Sequence, residues 1–197
     1  MVKLNKIYTR TGDSGKTGLG NGDRVDKHAA RVTAYGDVDE LNAVIGVAIA
    51  TMSSNKADKD MVKILQKIQN ELFDLGADLC VPYEIDEQKG QRLRITPEYT
   101  NRLESSIDLL NEPLSPLTSF ILPGGAQESA LLHQARTIAR RAERAITELY
   151  KKEQINQHIL KYINRLSDLL FVMARAANTY RQHTDILWKP GDDLKSN

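Results

Sequence analysis

The chain has 197 residues, a formal net charge of +1, 41% hydrophobic residues and 27% charged residues. Those values describe a soluble globular protein with one sizeable core. The near-neutral charge excludes a broad nucleic-acid footprint, although it leaves room for a local basic pocket.

Residues 1–26 lack periodicity and are rich in Gly, Thr and Asp, so they read as an N-terminal loop with at most a short extended piece at 4–8. From 27 to 52 the pattern turns helical, with Leu41, Val44, Ile45, Ala48 and Ile49 at spacings of three and four. A second helix is expected over 57–79, where Ile64, Leu65, Ile68, Leu72, Leu75 and Leu79 form an apolar stripe. Residues 81–95 are charged and contain Pro82 and Gly90, which predicts an exposed loop. A third helix starts at Thr96, with Pro97 in the favoured first position, and ends before Pro113.

The stretch 111–126 holds Pro113, Pro116, Pro123 and the pair Gly124–Gly125. Leu114, Leu117, Phe120, Ile121 and Leu122 make it too apolar for a free linker, so it is expected to be a structured loop. The fourth helix is expected over 127–150 and the fifth over 155–182, with a mobile tail over 184–197. No strand set or internal repeat is evident. Five helices with short connections predict an all-α, antiparallel bundle forming a single domain over 1–197, with the bundle itself at 27–183.

Cys80 is the lone cysteine, which excludes an internal disulfide. His28, His133, His158 and His183 share no metal-ligand spacing, and no metal site is expected from side chains. The opening MVKLNKIYTR has no apolar run of signal-peptide length, and no run approaches a membrane span. The expectation is a cytoplasmic protein without membrane or nucleic-acid partners.

Three segments carry chemistry. GDSGKT at 12–17 invites a P-loop reading, but the glycine required five residues before the Gly-Lys pair is Arg10. The local physics survives: Gly12, Gly15, Gly18 and Gly20 can expose backbone N–H groups to an anion, and Thr9, Thr11 and Thr17 add hydroxyls. A flexible terminal loop is the alternative. In the first helix, Asp37, Asp39 and Glu40 sit near the N-terminus, either to favour the helix dipole or to meet an arginine of another helix or subunit.

The third segment is RTIARRAER at 136–144. Arg136, Arg140 and Glu143 share one helical face, opposite the apolar Leu131, Ala135, Ile138 and Ala142. A solvated charged face is the bland alternative. Against it, the arginines outnumber the acids, and the fifth helix offers a matching stripe of Asn164, Asp168, Phe171 and Arg175. Two such stripes facing each other inside an apolar bundle would be costly without a ligand, and a polyphosphate fits the arginines.

The set IYTRTGDSGKTGLGNGDRVDK, YGDVDELNAVIG, FILPGG, RTIARRAER and YINRLSDLLFVMAR, in that order, resembles the PduO-type ATP:cob(I)alamin adenosyltransferases. The resemblance covers nearly the whole chain. It implies a ferritin-like five-helix subunit, a homotrimer with sites between subunits, and transfer of the 5′-deoxyadenosyl group of ATP to cobalamin with release of triphosphate. It also implies roles for particular residues. Thr9, Arg10, Thr11, Gly12, Thr17, Gly18 and Lys27 would wrap ATP from one subunit, and Arg140, Arg141, Glu143, Arg144 and Asn164 would complete the site from its neighbour. Arg140 would counter the triphosphate charge.

By the same resemblance, Asp39 would pair with Arg136 across the seam and close the corrinoid pocket, with Asp168 in support. Phe120, with Phe171, would form an apolar wall below the corrin ring that excludes the lower axial ligand of cob(II)alamin. Mg²⁺ would accompany ATP. A reductase and an adenosylcobalamin-dependent enzyme are the implied partners. Ser14 and Lys16 sit at loop positions expected to vary, and Lys16 either touches phosphate or faces solvent. A non-catalytic carrier of ATP and adenosylcobalamin is the rival class, and a purely structural bundle is a third.

Overall fold

The computed structural model describes residues 7–53, 55–84, 86–88 and 90–191. Among them are five α-helices: α1 (Ala30–Thr51), α2 (Lys56–Cys80), α3 (Pro97–Asn111), α4 (Gln127–Lys152) and α5 (Gln157–Tyr180). The expected all-α bundle is therefore present, with helix ends within a few residues of those expected. None of these helices is long and apolar enough to cross a membrane.

The packing follows the apolar periodicity. Helix α2 buries Met61, Leu65, Ile68, Leu72, Leu75 and Leu79, at steps of four and three. Its start is capped by Asn55, whose side chain accepts from the Asp58 N–H at 2.8 Å. Helix α1 buries Ala34, Val38, Leu41, Ile45 and Ala48, yet leaves Ala43, Val47 and Ala50 exposed on its outer side. Helix α5 is buried on nearly every side from Leu169 to Asn178. It is the central element: α4 and α3 pack on it, α1 packs on α4, and α2 packs on α1. Ala174, Ala176 and Ala177 are buried there and let the neighbours approach closely.

Three features differ from the sequence reading or add to it. The N-terminal segment contains a hairpin, β1 (Lys16–Gly18) antiparallel to β2 (Arg24–Asp26), with Thr17 opposite Val25. Three-residue strands of mostly exposed residues carry no hydrophobic alternation, so the pattern did not announce them. The hairpin is tied to the end of α2 by a hydrogen bond from Gly20 N to Cys80 O, 3.0 Å. A Cβ at Gly20 would lie 2.5 Å from Val81 Cγ2, so only glycine fits that approach. The expected extended piece at 4–8 lies mostly outside the described residues.

The segment after α2 is the exposed loop expected, and it is also strapped down. Arg94 donates to both Asp78 (2.7 Å) and Glu87, while Asp78 also accepts from Ile95 N and Asn156. Its charges therefore both face solvent and hold the segment in place. Finally, the start of the expected tail has partners: Leu122 N donates to Ile186 O and Trp188 N donates to Phe120 O. Residues 192–197 lie outside the described residues.

Candidate active site

The N-terminal loop presents its polar groups outward. Thr9 and Thr11 share a hydroxyl hydrogen bond of 2.9 Å, and Arg24 Nη2 holds Thr11 O. Arg10 adopts a left-handed backbone (φ 62°), an uncommon state for a side chain of that size. Lys27 lies beside Gly12, where an added Cβ would come within 3.2 Å of its Nζ. Gly12 thus lets a cation stand close to the backbone of a loop lined with hydroxyls. Thr17 and Gly18 fall on β1, and Lys16 is exposed there.

On α4 the arginines point in two directions. Arg141 reaches back to α1, where its Nε meets Asp37 at 3.2 Å and its Nη2 meets Glu40. Two of the three acids near the start of α1 therefore do meet an arginine of another helix. Arg141 is separated from the face that carries Arg136, Arg140 and Glu143. Glu143 accepts from Asn164 of α5 at 2.9 Å, joining the two predicted stripes. Arg144 donates to Arg140 O at 3.0 Å. The Arg140 guanidinium is exposed and has no ion pair or hydrogen bond among the described residues.

Arg136 is half-buried, and its Nε is fully buried without a partner. Burial, with the charge of Arg140 nearby, lowers its affinity for its proton. Asp39 is exposed on α1, in a cavity of about 400 Å³ with Tyr35, Asn42, Phe73 and Cys80. No ion pair joins Asp39 to Arg136 within the chain.

The stripes were expected to face each other inside the bundle. Instead, Asn164 and Asp168 are exposed, and Asp168 pairs with Arg165 one turn away at 3.0 Å. The polar stripe lies on the outer surface, where water lowers the cost of its charges. Arg175 alone of the four predicted residues is a buried charge, paired with Asp185 at 2.8 Å.

The apolar wall is also open. Phe120 is 78% exposed, with Trp188 tilted against it at 6.1 Å between ring centroids. Leu122, Ile186 and Leu187 are exposed around them. Phe171 is half-buried and meets His133 edge-on at 6.0 Å. An exposed apolar patch of this kind is a surface suited to a ligand or another chain.

Sequence reasoning missed three residues here. His133 is 2% exposed, and neither ring nitrogen has a partner. Burial, aided by Arg136, pushes its pKa down to about 4, so the ring is neutral near pH 7. Asn178 and Asp185 brace the Phe120 loop. Only the Gly124–Gly125 pair hinted at the close approach of Asn178.

Among the described residues, no group of three or more His, Cys, Asp or Glu side chains could hold a metal ion. A separate cavity of about 550 Å³ between α2 and α3 is lined by Ile64, Lys67, Glu71 and Arg102, among others, and includes none of the residues above.

Residues 7–177 match the family model described as cobalamin adenosyltransferase. The chain is 47% identical to a corrinoid adenosyltransferase of Mycobacterium leprae (strain TN), covering 96% of this chain and 98% of that protein. It is 43% identical to the corrinoid adenosyltransferase PduO of Salmonella typhimurium, covering 92% of this chain and 52% of that longer protein. Its fold is similar to that of a Phe-to-His variant of a PduO-type ATP:corrinoid adenosyltransferase from Lactobacillus reuteri, complexed with cobalamin and ATP. The TM-score is 0.87 at 41% identity, covering 94% of this chain and 97% of that one. An Arg-to-Lys variant of the L. reuteri enzyme complexed with ATP gives a TM-score of 0.84 at 41% identity, covering 93% and 100%.

Proposed function

The chain belongs to the cobalamin adenosyltransferase family, and we propose that its unpaired charges are two halves of one active site, joined when two copies meet. The enzyme is a corrinoid adenosyltransferase, moving the 5′-deoxyadenosyl group of ATP to cob(I)alamin to give adenosylcobalamin and triphosphate. Cobalt(I) supplies the electron pair of the new Co–C5′ bond. The C5′–O5′ bond breaks, and its pair leaves on triphosphate. No side-chain nucleophile is needed. The protein must position C5′, neutralise the leaving charge and keep water out.

One observation carries the two-copy reading: Arg136 keeps a buried Nε without a partner, and among the described residues neither it nor Asp39 nor Arg140 forms an ion pair within the chain. Asp39 of a neighbouring copy would meet Arg136 and close the corrinoid pocket over Phe120 and Phe171, with Asp168 beside them. Thr9, Arg10, Thr11, Gly12, Thr17, Gly18 and Lys27 of that neighbour would wrap ATP. Arg140 and Arg144 would face its phosphates, and Glu143, fixed by Asn164, would orient the donors. Arg141, tied to Asp37 and Glu40, would support α4 from behind. The exposed Phe73, at 70%, and Val47 suit the seam of a closed homotrimer.

Phe120 would fill the space below the corrin ring. Excluding the lower axial donor leaves four-coordinate cob(II)alamin, which accepts an electron more readily. Mg²⁺ fits as an ion that arrives on the phosphates and is ligated largely by their oxygens and water, since no carboxylate cage is present among the described residues. It would neutralise phosphate charge. A reductase and an adenosylcobalamin-dependent acceptor complete the proposed partners, in the cytoplasm where ATP is supplied.

Incubation with ATP and cobalamin under strong reduction tests the chemistry. A light-sensitive Co–C product and free triphosphate are expected. Release of diphosphate would contradict the mechanism.

A further inference from the structure

Phe120 stands on a loop bounded by prolines, with its ring largely in solvent, so something else must fix its position. Its backbone pairs with the segment after α5. Leu122 N donates to Ile186 O at 2.8 Å, and Trp188 N donates to Phe120 O at 2.7 Å. Ser119 Oγ donates to Trp188 O at 2.9 Å. Ile121 and Leu187 form an antiparallel bridge. A contact this short is marginal alone.

The anchor is Asp185, the residue just before the paired segment. Its Oδ2 accepts from Arg175 Nε at 2.8 Å, and its Oδ1 accepts from Asn178 Nδ2 at 3.1 Å. Both donors also grip the Phe120 loop. Arg175 Nη2 donates to Ser115 O at 2.7 Å. Asn178 donates to Gly124 O at 3.2 Å and accepts from Ala126 N at 2.9 Å. Arg175 and Asn178 are buried, three positions apart on α5. They hold the two ends of the loop and the start of its paired segment at one point.

The fit leaves no slack. A Cβ at Gly125 would lie 2.2 Å from Asn178 Oδ1, and Gly125 has φ 95°. Asn178 fits because Gly125 lacks a side chain.

We propose that Asp185 is a positioning residue for Phe120. Its carboxylate locks Arg175 and Asn178 into the orientations that hold the loop, and it fixes the segment whose Trp188 braces the Phe120 ring. This rests on the corrinoid role given to Phe120 above. Asp185 touches no reacting atom, and its effect passes entirely through the placement of that ring.

The test is Asp185→Asn, which keeps the shape and removes the charge that both donors address. ATP affinity should stay within about twofold, because the ATP loop lies elsewhere. The fraction of four-coordinate cob(II)alamin, read by electron paramagnetic resonance with ATP present, should fall. The kcat should fall roughly 10- to 100-fold, the scale of a small misplacement. In a Phe120→Ala background, Asp185→Asn should add little. Trp188→Ala, which disturbs no buried charge, should show the same pattern more weakly, so it carries the test if the first variant folds poorly. A wild-type cobalt spectrum and kcat in these variants would overturn the proposal, as would a full additional loss in the Phe120→Ala background. If the wild-type protein forms no Co–C product, the underlying functional reading fails instead.

Discussion

The buried charges around α2 and the charges of the α4–α5 face are used in opposite ways. Around α2 the buried charges, Asp58, Glu71 and Asp78, are all matched. Glu71 accepts from Arg102 and from the Tyr162 hydroxyl, and Asp78 from Arg94, Asn156 and Ile95 N. Arg181 joins Asp58 to Glu128 and so ties the end of α5 to the starts of α2 and α4. On the α4–α5 face, among the described residues, the Arg140 guanidinium has no ion pair or hydrogen bond, Arg136 has a buried nitrogen without a partner, and His133 has none on either nitrogen. Folding accounts for the first set. In the second set the buried Arg136 Nε and His133 nitrogens are costly to leave unpaired, and the exposed Arg140 stands beside them, an arrangement that suits an arriving ligand or chain.

The largest expected effect on stability is on the matched side. Asp78→Ala removes one of the two carboxylates that hold Arg94, leaving Glu87, and loses the bonds to Ile95 N and Asn156. Breaking a buried pair in this way costs about 3–5 kcal/mol. Thermal unfolding should move down by roughly 10 °C for a chain of this size, while the folded fraction keeps its kcat. A large loss of kcat with unchanged Tm would place Asp78 in the site and blur the contrast.

Arg140→Ala should do the reverse. The kcat should fall by about 10²–10³, as for loss of one preorganised donor to a developing anion. Tm in the absence of ATP should hardly change, because Arg140 has no partner to lose. A Tm loss as large as that of Asp78→Ala would show that Arg140 is structural.

His133 sharpens the comparison through pH. Burial and Arg136 hold its folded pKa at about 4, below the usual 6.5. The unfolded chain therefore binds the extra proton first as pH falls, so this contribution to stability is complete above 6.5 and is lost between 6.5 and 4. His133→Gln should flatten the decline of Tm over that window. An unchanged slope would mean that the ring titrates normally. Asp58 acts lower on the scale: burial raises its pKa, but the bonds from Arg181 and Ser53 outweigh that and hold it below 3.8. Its contribution is present above that value and is lost as pH falls through the depressed pKa. The smallest effect belongs to Lys63, exposed and paired only with Asp60. Lys63→Ala should leave both Tm and kcat unchanged within error.

Much of the bundle was legible because α2 and α4 repeat their apolar residues every three or four positions. Helix α1 was legible as well, read over 27–52 and found at Ala30–Thr51, although its two faces differ less in polarity. Its exposed Ala43, Val47 and Ala50 are as apolar as its buried side, which blurs the periodicity and suits a helix that meets a second surface. The site was legible where a motif placed several residues on one helical face, as with Arg136, Arg140 and Glu143. The direction of Arg141 was not legible, because the acids it meets lie about a hundred positions away in the chain. The Asp185 anchor was hidden for the same reason: Arg175, Asn178 and Asp185 look ordinary until the loop at 115–126 folds against them.

Subunit complementation tests the two-copy site most directly. Asp39→Arg and Arg140→Ala each disable a different half, so each variant alone should be nearly inactive. Co-expressed as mixed oligomers, some seams would join an intact Asp39 to an intact Arg140. Random assembly into closed rings should restore about one quarter of wild-type activity. If the mixture stays as inactive as its parents while mixed oligomers are present, both halves of the site lie within one chain, and the account is wrong.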